Sequence, residues 1–512
     1  MERRLKLSWV LVSSDRPVCG KTKILVMKWS VEAVHDQAMP PHRHVLRSDQ
    51  GARAGTADRP AGRGRSVGAR LLIIGGALGA LLLAMTASCS AAELESPAPA
   101  EDWSLHFQST GIWQGYPGFH SPFRGPNSLP GGGEARETIS GTVFLGRRLP
   151  WDGGELYFNP EFNQGFGLAR TEGVAGFPNG EAQKAGFHTP KPNVARLFLR
   201  QTFGLGGAKE TIEDGANSIA TTVDVSRITV TAGKFAAPDI FDDNQYAHDP
   251  RTTFLNWSLW EAAAWDYPAD QKGYTDGIAI ELNQQDWALR GGWFLEPKIA
   301  NERDLEPRFW KAFGAVAEIE TRHELRGEPG KLRFLVFANR AHMGNLRQAV
   351  ALAAETGAPA DIAAVRNYRW KAGFAVNLEQ AVSDDLGVFS RLSWNDGHTE
   401  AWAFTDVDRS FSLGTSLKGT SWQRPNDTIG LAGVVNELSK AHRNFFAAGG
   451  TGILVGDGRL NYAPEGIVEA YYSYRVVEPV ALSLDYQFVG NPAYDQDRGP
   501  VHVFAARLHV EF

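Results

Sequence analysis

The sequence predicts an all-β protein, an antiparallel transmembrane β-barrel of about 16 strands. Two observations carry that reading. Segments of about ten residues alternate apolar and polar with period two, as a strand does when its two faces meet different surroundings. The connections between them also alternate, long then short, as in barrels with long outer loops and tight periplasmic turns.

The first 92 residues stand apart from the rest. They hold 14 basic and 6 acidic residues, a net of +8, which leaves 38 basic and 52 acidic residues, a net of −14, for residues 93–512. Leu71 to Met85 is the one continuously apolar segment, and its 15 residues fall short of the roughly 20 a membrane helix needs. Arg63, Arg65 and Arg70 precede it and Ser90-Ala91-Ala92 follows. A basic start, a short apolar core and a small-residue end make a secretory signal peptide over 66–92, with cleavage before Glu93. A membrane anchor, or a lipid on Cys89, is the alternative. Residues 1–65 show no regular pattern and read as an unstructured leader, with Met39 or a later residue as the expected true start.

Composition narrows the classes further. Only Cys19 and Cys89 are present, so a disulfide scaffold and a multi-cysteine zinc site are excluded. The net charge of −6 speaks against nucleic-acid binding. No Gly-x-Ser-x-Gly nucleophile elbow and no His-Glu-x-x-His zinc motif occurs, so the chain does not read as an enzyme. No cofactor and no metal are implied.

In chain order the strands are expected near 103–114, 137–148, 154–163, 193–205, 225–235, 273–283, 286–296 and 310–323. The second half continues near 331–340, 367–378, 385–395, 400–414, 427–437, 464–475, 479–489 and 501–512. Three connections break the alternation: 206–224 and 415–426 are long where a short turn is due, and 396–399 is short where a loop is due. Closure follows from the lipid, because an open sheet edge would leave backbone N–H and C=O groups unpaired in hydrocarbon. No stretch after Glu93 approaches 18 apolar residues, so no membrane helix is expected there.

Parity then sorts the charged residues. Arg196 and Arg200 oppose Leu197 and Leu199, Arg227 opposes Ile228, and Arg290 opposes Leu289. Glu318 and Glu320 oppose Ile319; Glu281, Arg391, Glu469, Asp485 and Arg507 also fall on the inner face. A lysine or arginine facing lipid at mid-membrane would cost about 2–4 kcal/mol, which assigns these side chains to the lumen. Lys234 breaks the parity of its strand. Tyr, Phe and Trp near strand ends suit an aromatic girdle. Phe512, with Leu508 and Val510 on the same face, resembles the C-terminal signal read by the barrel-insertion machinery of Gram-negative bacteria.

One long block carries a family likeness: Gly233-Lys-Phe-Ala-Ala-Pro-Asp-Ile-Phe-Asp-Asp-Asn-Gln-Tyr-Ala-His-Asp-Pro-Arg251. Phe254-Leu-Asn-Trp257, Asp266-Tyr-Pro-Ala-Asp270, Gly456-Asp-Gly-Arg-Leu-Asn461 and Asn491-Pro-Ala-Tyr494 continue it. The chain resembles the carbohydrate-selective porins of the OprB family over roughly residues 103–512. The resemblance implies facilitated diffusion of mono- or oligosaccharides across an outer membrane, in contact with outer-membrane lipid. It leaves open which sugar passes and whether the protein is a monomer or a homotrimer.

A sugar pore needs hydroxyl partners and flat apolar faces. Carboxylates accept from sugar hydroxyls, and arginine donates in a fixed fork. Segment 236–272 has this composition: Asp239, Asp242, Asp243, Asn244, Asp249 and Arg251, followed by Trp257, Trp260 and Trp265. By analogy with other porins it is expected to fold into the lumen. The motif adds Lys234 to the candidates. Calcium on Asp239, Asp242 and Asp243 is the lesser reading, since their spacing is not that of an EF-hand. Two other functions compete: a general or ion-conducting diffusion porin, and a β-rich carbohydrate-binding surface protein. The second would need neither an apolar outer band nor a terminal aromatic.

Overall fold

The computed structural model describes residues 101–404 and 406–512, together with Lys6–Val12 and Ile24–Ser30. The last two segments pair as an antiparallel ribbon within a stretch where the sequence shows no regular pattern. The signal peptide expected at 66–92 lies outside the described residues, as does the rest of the expected leader.

Sixteen strands form a closed barrel. They are β1 Trp103–Tyr116, β2 Glu134–Arg148, β3 Gly154–Gly165 and β4 Phe187–Gly204. Next come β5 Arg227–Phe235, β6 Thr275–Asn283, β7 Trp287–Leu295 and β8 Phe313–Leu325. Then follow β9 Glu328–Gly344, β10 Arg366–Ala381, β11 Leu386–Asn395 and β12 Arg409–Gly419. The last four are β13 Arg424–Glu437, β14 Glu465–Val477, β15 Val480–Gly490 and β16 Val501–Glu511. Each pairs antiparallel with the next, and β16 closes on β1 through Phe504↔Gly115 to Glu511↔Gln108. The seam is finished by Phe512, whose N–H and C=O both bond to Phe107 (2.9 and 3.1 Å).

The alternation written in the sequence is the alternation of the wall. In β15, Leu482 and Leu484 are exposed on the outside while Ser483 and Asp485 are buried inside. The same holds for Ile278 and Ile280 of β6, Leu332, Phe334 and Val336 of β9, and Leu413 of β12. An outward apolar face on strand after strand is unfavourable in water and suits hydrocarbon. Exposed Trp113, Trp293 and Trp394 mark one edge of the band, and Trp103, Trp287 and Phe203 the other, as interfacial aromatics do.

One strand is corrected. The sequence places it near 400–414; β12 runs Arg409–Gly419. Trp402, Ala403 and Phe404 are buried in a loop instead, with their backbone N–H groups donating to the Asp266 carboxylate. A short apolar run packed into a core looks the same as a strand by pattern alone. The shift also removes two of the three irregular connections. The outer loop becomes 396–408 and the turn becomes 420–423.

The third irregular connection is real. Residues 205–226 carry a small ribbon, Lys209–Ile212 paired with Thr221–Asp224, on the periplasmic side. It folds against inward-facing groups: Arg200 donates to Asn217 O (3.0 Å), Arg148 to Ala220 O (2.8 Å), and Arg227 pairs with Glu210 (2.6 Å). Two outer loops contain helices of two turns or more, α1 Leu346–Thr356 and α2 Lys440–Ala447. Asn345 caps α1 through Gln348 N (3.1 Å), and Ser439 caps α2 through His442 N (3.1 Å), as short polar N-cap side chains do. Leu346 and Ala349 share a buried cluster with Leu438, Phe445 and Phe446.

Candidate functional site

Segment 236–274, between β5 and β6, is fastened to inward-facing side chains from much of the wall. Asp242 N–H donates to Glu318 of β8 (2.8 Å), and the Asp242 carboxylate accepts from Asn377 of β10 (2.6 Å), Arg391 of β11 (3.1 Å) and Ala262 N–H (2.7 Å). On another side Glu469 of β14 accepts from the N–H groups of Leu255 (2.5 Å) and Asn256 (2.9 Å). Arg507 of β16 donates to Pro250 O (2.7 Å) and Thr253 O (2.6 Å). Asn256 also bonds to Gln487 of β15 (3.0 Å). A loop satisfies its buried backbone groups in this way because no water reaches them.

Many of the inner-wall charges expected from parity act as these fasteners. Asn244 donates to Asn377 (2.7 Å), and Asp243 pairs with Arg333 (3.4 Å). Arg290 gathers Glu281 (3.1 Å), Glu318 (2.8 Å) and Glu320 (3.2 Å), and Arg333 also holds Glu320 (2.8 Å). Asp485 accepts from Gln487 (3.2 Å) and lies against Glu469 and Arg507. Arg200 and Arg227 sit lower, on the periplasmic ribbon described above. Lys234 keeps outer-face parity near the extracellular end of β5 and reaches Asp270 (3.4 Å). Asp239, Asp242 and Asp243 point to three different partners, Arg196, Arg391 and Arg333. Among the described residues no cluster of three metal-ligating side chains occurs.

The remaining candidates meet around one cleft. Arg196, Asp239, Asp249, Arg251, Trp257 and Trp260 all line it. Arg196 and Asp239 form a fork-to-fork pair (2.7 and 2.5 Å). Arg251 lies between Glu181 (3.2 Å), Asp249 (3.5 Å) and Glu161 (3.6 Å). Burial by itself would raise the Asp249 carboxyl, but the Arg251 guanidinium and its backbone N–H outweigh it and hold it down at about 2. Trp257 stacks between Phe177 (5.4 Å) and Phe404 (5.1 Å) and meets Trp260 edge-on (5.1 Å). Rings and charges of both signs thus face one opening.

Sequence reasoning missed part of this cleft. Behind the lining, Glu161 of β3 is buried and accepts from Tyr274 Oη (3.0 Å) and Asn163 (2.9 Å). Its parity with Asn159 and Asn163 was a usable signal. Glu181 and Lys184 come from a 3-10 turn, Gly180–Lys184, in the loop after β3. No periodicity marks so short a turn. It lies so close to the tryptophans that a Cβ on Gly180 would sit 2.5 Å from Trp260 Nε1, which explains the glycine. Lys272, Tyr274 and His248 also line the cleft.

A closed barrel with an apolar outer band and a charged, aromatic cleft inside is the architecture of an outer-membrane diffusion channel. The model of the carbohydrate-selective porin, OprB family, matches residues 143–512, and the chain belongs to that family. It is an outer-membrane porin for the diffusion of carbohydrates. The fold is similar to the high-pH structure of Pseudomonas putida OprB (15% identity, TM-score 0.59, covering 80% of this chain and 94% of that one). The low-pH structure of the same protein aligns at 13% identity with TM-score 0.42, covering 80% and 93%. The outer membrane channel DcaP of Acinetobacter baumannii aligns at 11% identity with TM-score 0.45, covering 82% and 100%. No curated protein matches the chain.

Proposed function

We propose that segment 236–274 and the turn Gly180–Lys184 form the constriction of the pore and that sugars are selected there. The observation that carries this is the cleft itself. Arg196, Asp239, Asp249 and Arg251 present donors and acceptors beside the rings of Trp257 and Trp260. The partly exposed face of Trp260 covers the C–H face of a pyranose, and the paired charges exchange hydrogen bonds with its hydroxyls. Because Arg196 and Asp239, and Arg251 and Asp249, already hold one another, a solute's contacts with these four replace existing ones and binding to them stays weak, as passage requires. Glu318, Arg391, Glu469 and Arg507 serve the pore indirectly, by holding the constricting segment.

Export uses the signal peptide at 66–92, and insertion into the outer membrane of a Gram-negative cell uses the aromatic C-terminus. The backbone pairing of Phe512 with Phe107 supports that role for Phe512, because it completes the barrel seam. Liposome swelling with a size series of sugars and matched amino acids tests the main reading. Sugars entering faster than equal-sized amino acids is the expected result. Equal rates would reduce the protein to a general diffusion pore.

A further inference from the structure

The constriction is asymmetric in its unused hydrogen-bonding capacity. The lining carboxylates are engaged: Asp239 by Arg196, Asp249 by Arg251, and Glu181 by Ser140 (2.6 Å) and Arg251. The groups left without a partner there are donors: Lys272 Nζ, Trp257 Nε1, Trp260 Nε1 and the Nε of Arg251. His248 Nδ1, also unpartnered, can donate or accept according to tautomer.

Lys272 is the informative member. It is 5% exposed and lines the cleft. Its backbone N–H is fixed by Asp270 Oδ1 (2.9 Å), but no carboxylate lies within ion-pair distance of its ammonium among the described residues. The Phe187 ring lies 5.8 Å from Nζ. Burial lowers this ammonium from its ordinary range, and Glu161 offsets only part of the effect. A buried, unpaired ammonium is costly. A ligand bringing a carboxylate would supply the missing charge, while its hydroxyl oxygens accept from the two indoles.

We infer that the constriction binds sugar acids, uronates or aldonates, in preference to neutral sugars, with Lys272 as the carboxylate's partner. This rests on the cleft being the sugar-selecting constriction. A neutral hexose would satisfy the indoles and offer Lys272 a hydroxyl acceptor, but no counter-charge. A simple inorganic anion would satisfy Lys272 and leave the indoles.

The test uses the folded protein in detergent and follows Trp fluorescence during titration with glucuronate, glucuronamide and glucose. The expected result is about tenfold tighter binding of glucuronate than of the other two, the ratio of one charge-assisted hydrogen bond. Lys272→Met abolishes that ratio and Lys272→Arg retains most of it. Trp260→Phe weakens all three sugars together. Equal affinity of wild-type protein for glucuronate and glucuronamide would overturn the inference, even where a variant fails to fold. So would a preference that survives Lys272→Met. Glucose swelling of liposomes, run in parallel, separates this outcome from failure of the porin reading. If glucose enters but glucuronate shows no preference, only the present inference falls.

Discussion

Replacing Asp242 by Asn would release the segment proposed to narrow the pore. Asp242 has φ +57, a conformation asparagine tolerates better than most residues, so the substitution removes charge with little backbone strain. The wild-type carboxylate takes three donors: Ala262 N–H (2.7 Å), Asn377 Nδ2 (2.6 Å) and Arg391 Nε (3.1 Å). An amide offers one oxygen in place of two. One donor then faces an NH₂ group, at a cost of about 1–3 kcal/mol. Arg391, only 2% exposed, also loses its counter-charge, although Leu259 O (2.9 Å) and Asp242 O (3.0 Å) still accept from it. Breaking a buried pair by removing one partner costs about 3–5 kcal/mol in total, enough to shift a docking equilibrium by more than a hundredfold. The expected outcome is a larger and noisier single-channel conductance, with weaker discrimination between small and large sugars. The double variant D242N/R391M, with both charges gone and the backbone still tolerated, should recover much of the lost stability in a urea titration. Wild-type conductance and size discrimination in D242N, from protein shown to be folded, would refute the fastening argument.

Three further outcomes follow from other parts of the molecule. Leu484→Lys places a charge on the outer face of β15, where the leucine is 63% exposed; it should destabilise the barrel in lipid by about 2–4 kcal/mol, read from urea unfolding in vesicles, and an unchanged midpoint would contradict a lipid-facing band. Arg251→Ala leaves Glu161, Glu181 and Asp249 without their shared cation, so reversal potentials in a salt gradient should move toward cation selectivity; no movement would place these groups away from the ion path. His442 in α2 is buried, which alone would lower its pKa, but Asp408 (3.1 Å) and Asp406 (3.2 Å) outweigh burial and raise it from 6.5 to about 9. Because the folded value lies above the unfolded one, the stabilisation of at most about 3 kcal/mol is complete below about pH 6.5 and is lost as pH rises through about 9. Hydrogen exchange in loop 438–464 should therefore speed up between pH 7 and 10 beyond the intrinsic rate, and His442→Gln should remove that excess.

The wall of the barrel was legible because its physics is local. Lipid outside and polar groups inside impose a period of two on every spanning strand, and the sequence of β15 from Val480 to Gly490 states it residue by residue. The inner-face assignments of Arg290, Glu318, Arg391, Glu469 and Arg507 follow from the same parity. The strand misplaced at 400–414 shows the limit: Trp402 and Phe404 are apolar because they fill a loop core around Asp266, not because they face lipid.

The sequence by itself determined the class of the protein, the number of its strands and the face that most of the wall charges take, Lys234 and Glu161 excepted. What each inner charge does was decided only by the tertiary structure. Asp239 and Asp242 are three residues apart in one acidic stretch; one borders the cleft with Arg196, and the other pins the segment to Asn377 and Arg391. Lys184 reaches the same cleft from the turn of a different loop, with Glu161 of β3 behind it at 4.0 Å. Such meetings depend on where closure of the ring brings distant strands and loops together, and chain-local pattern holds no record of that distance.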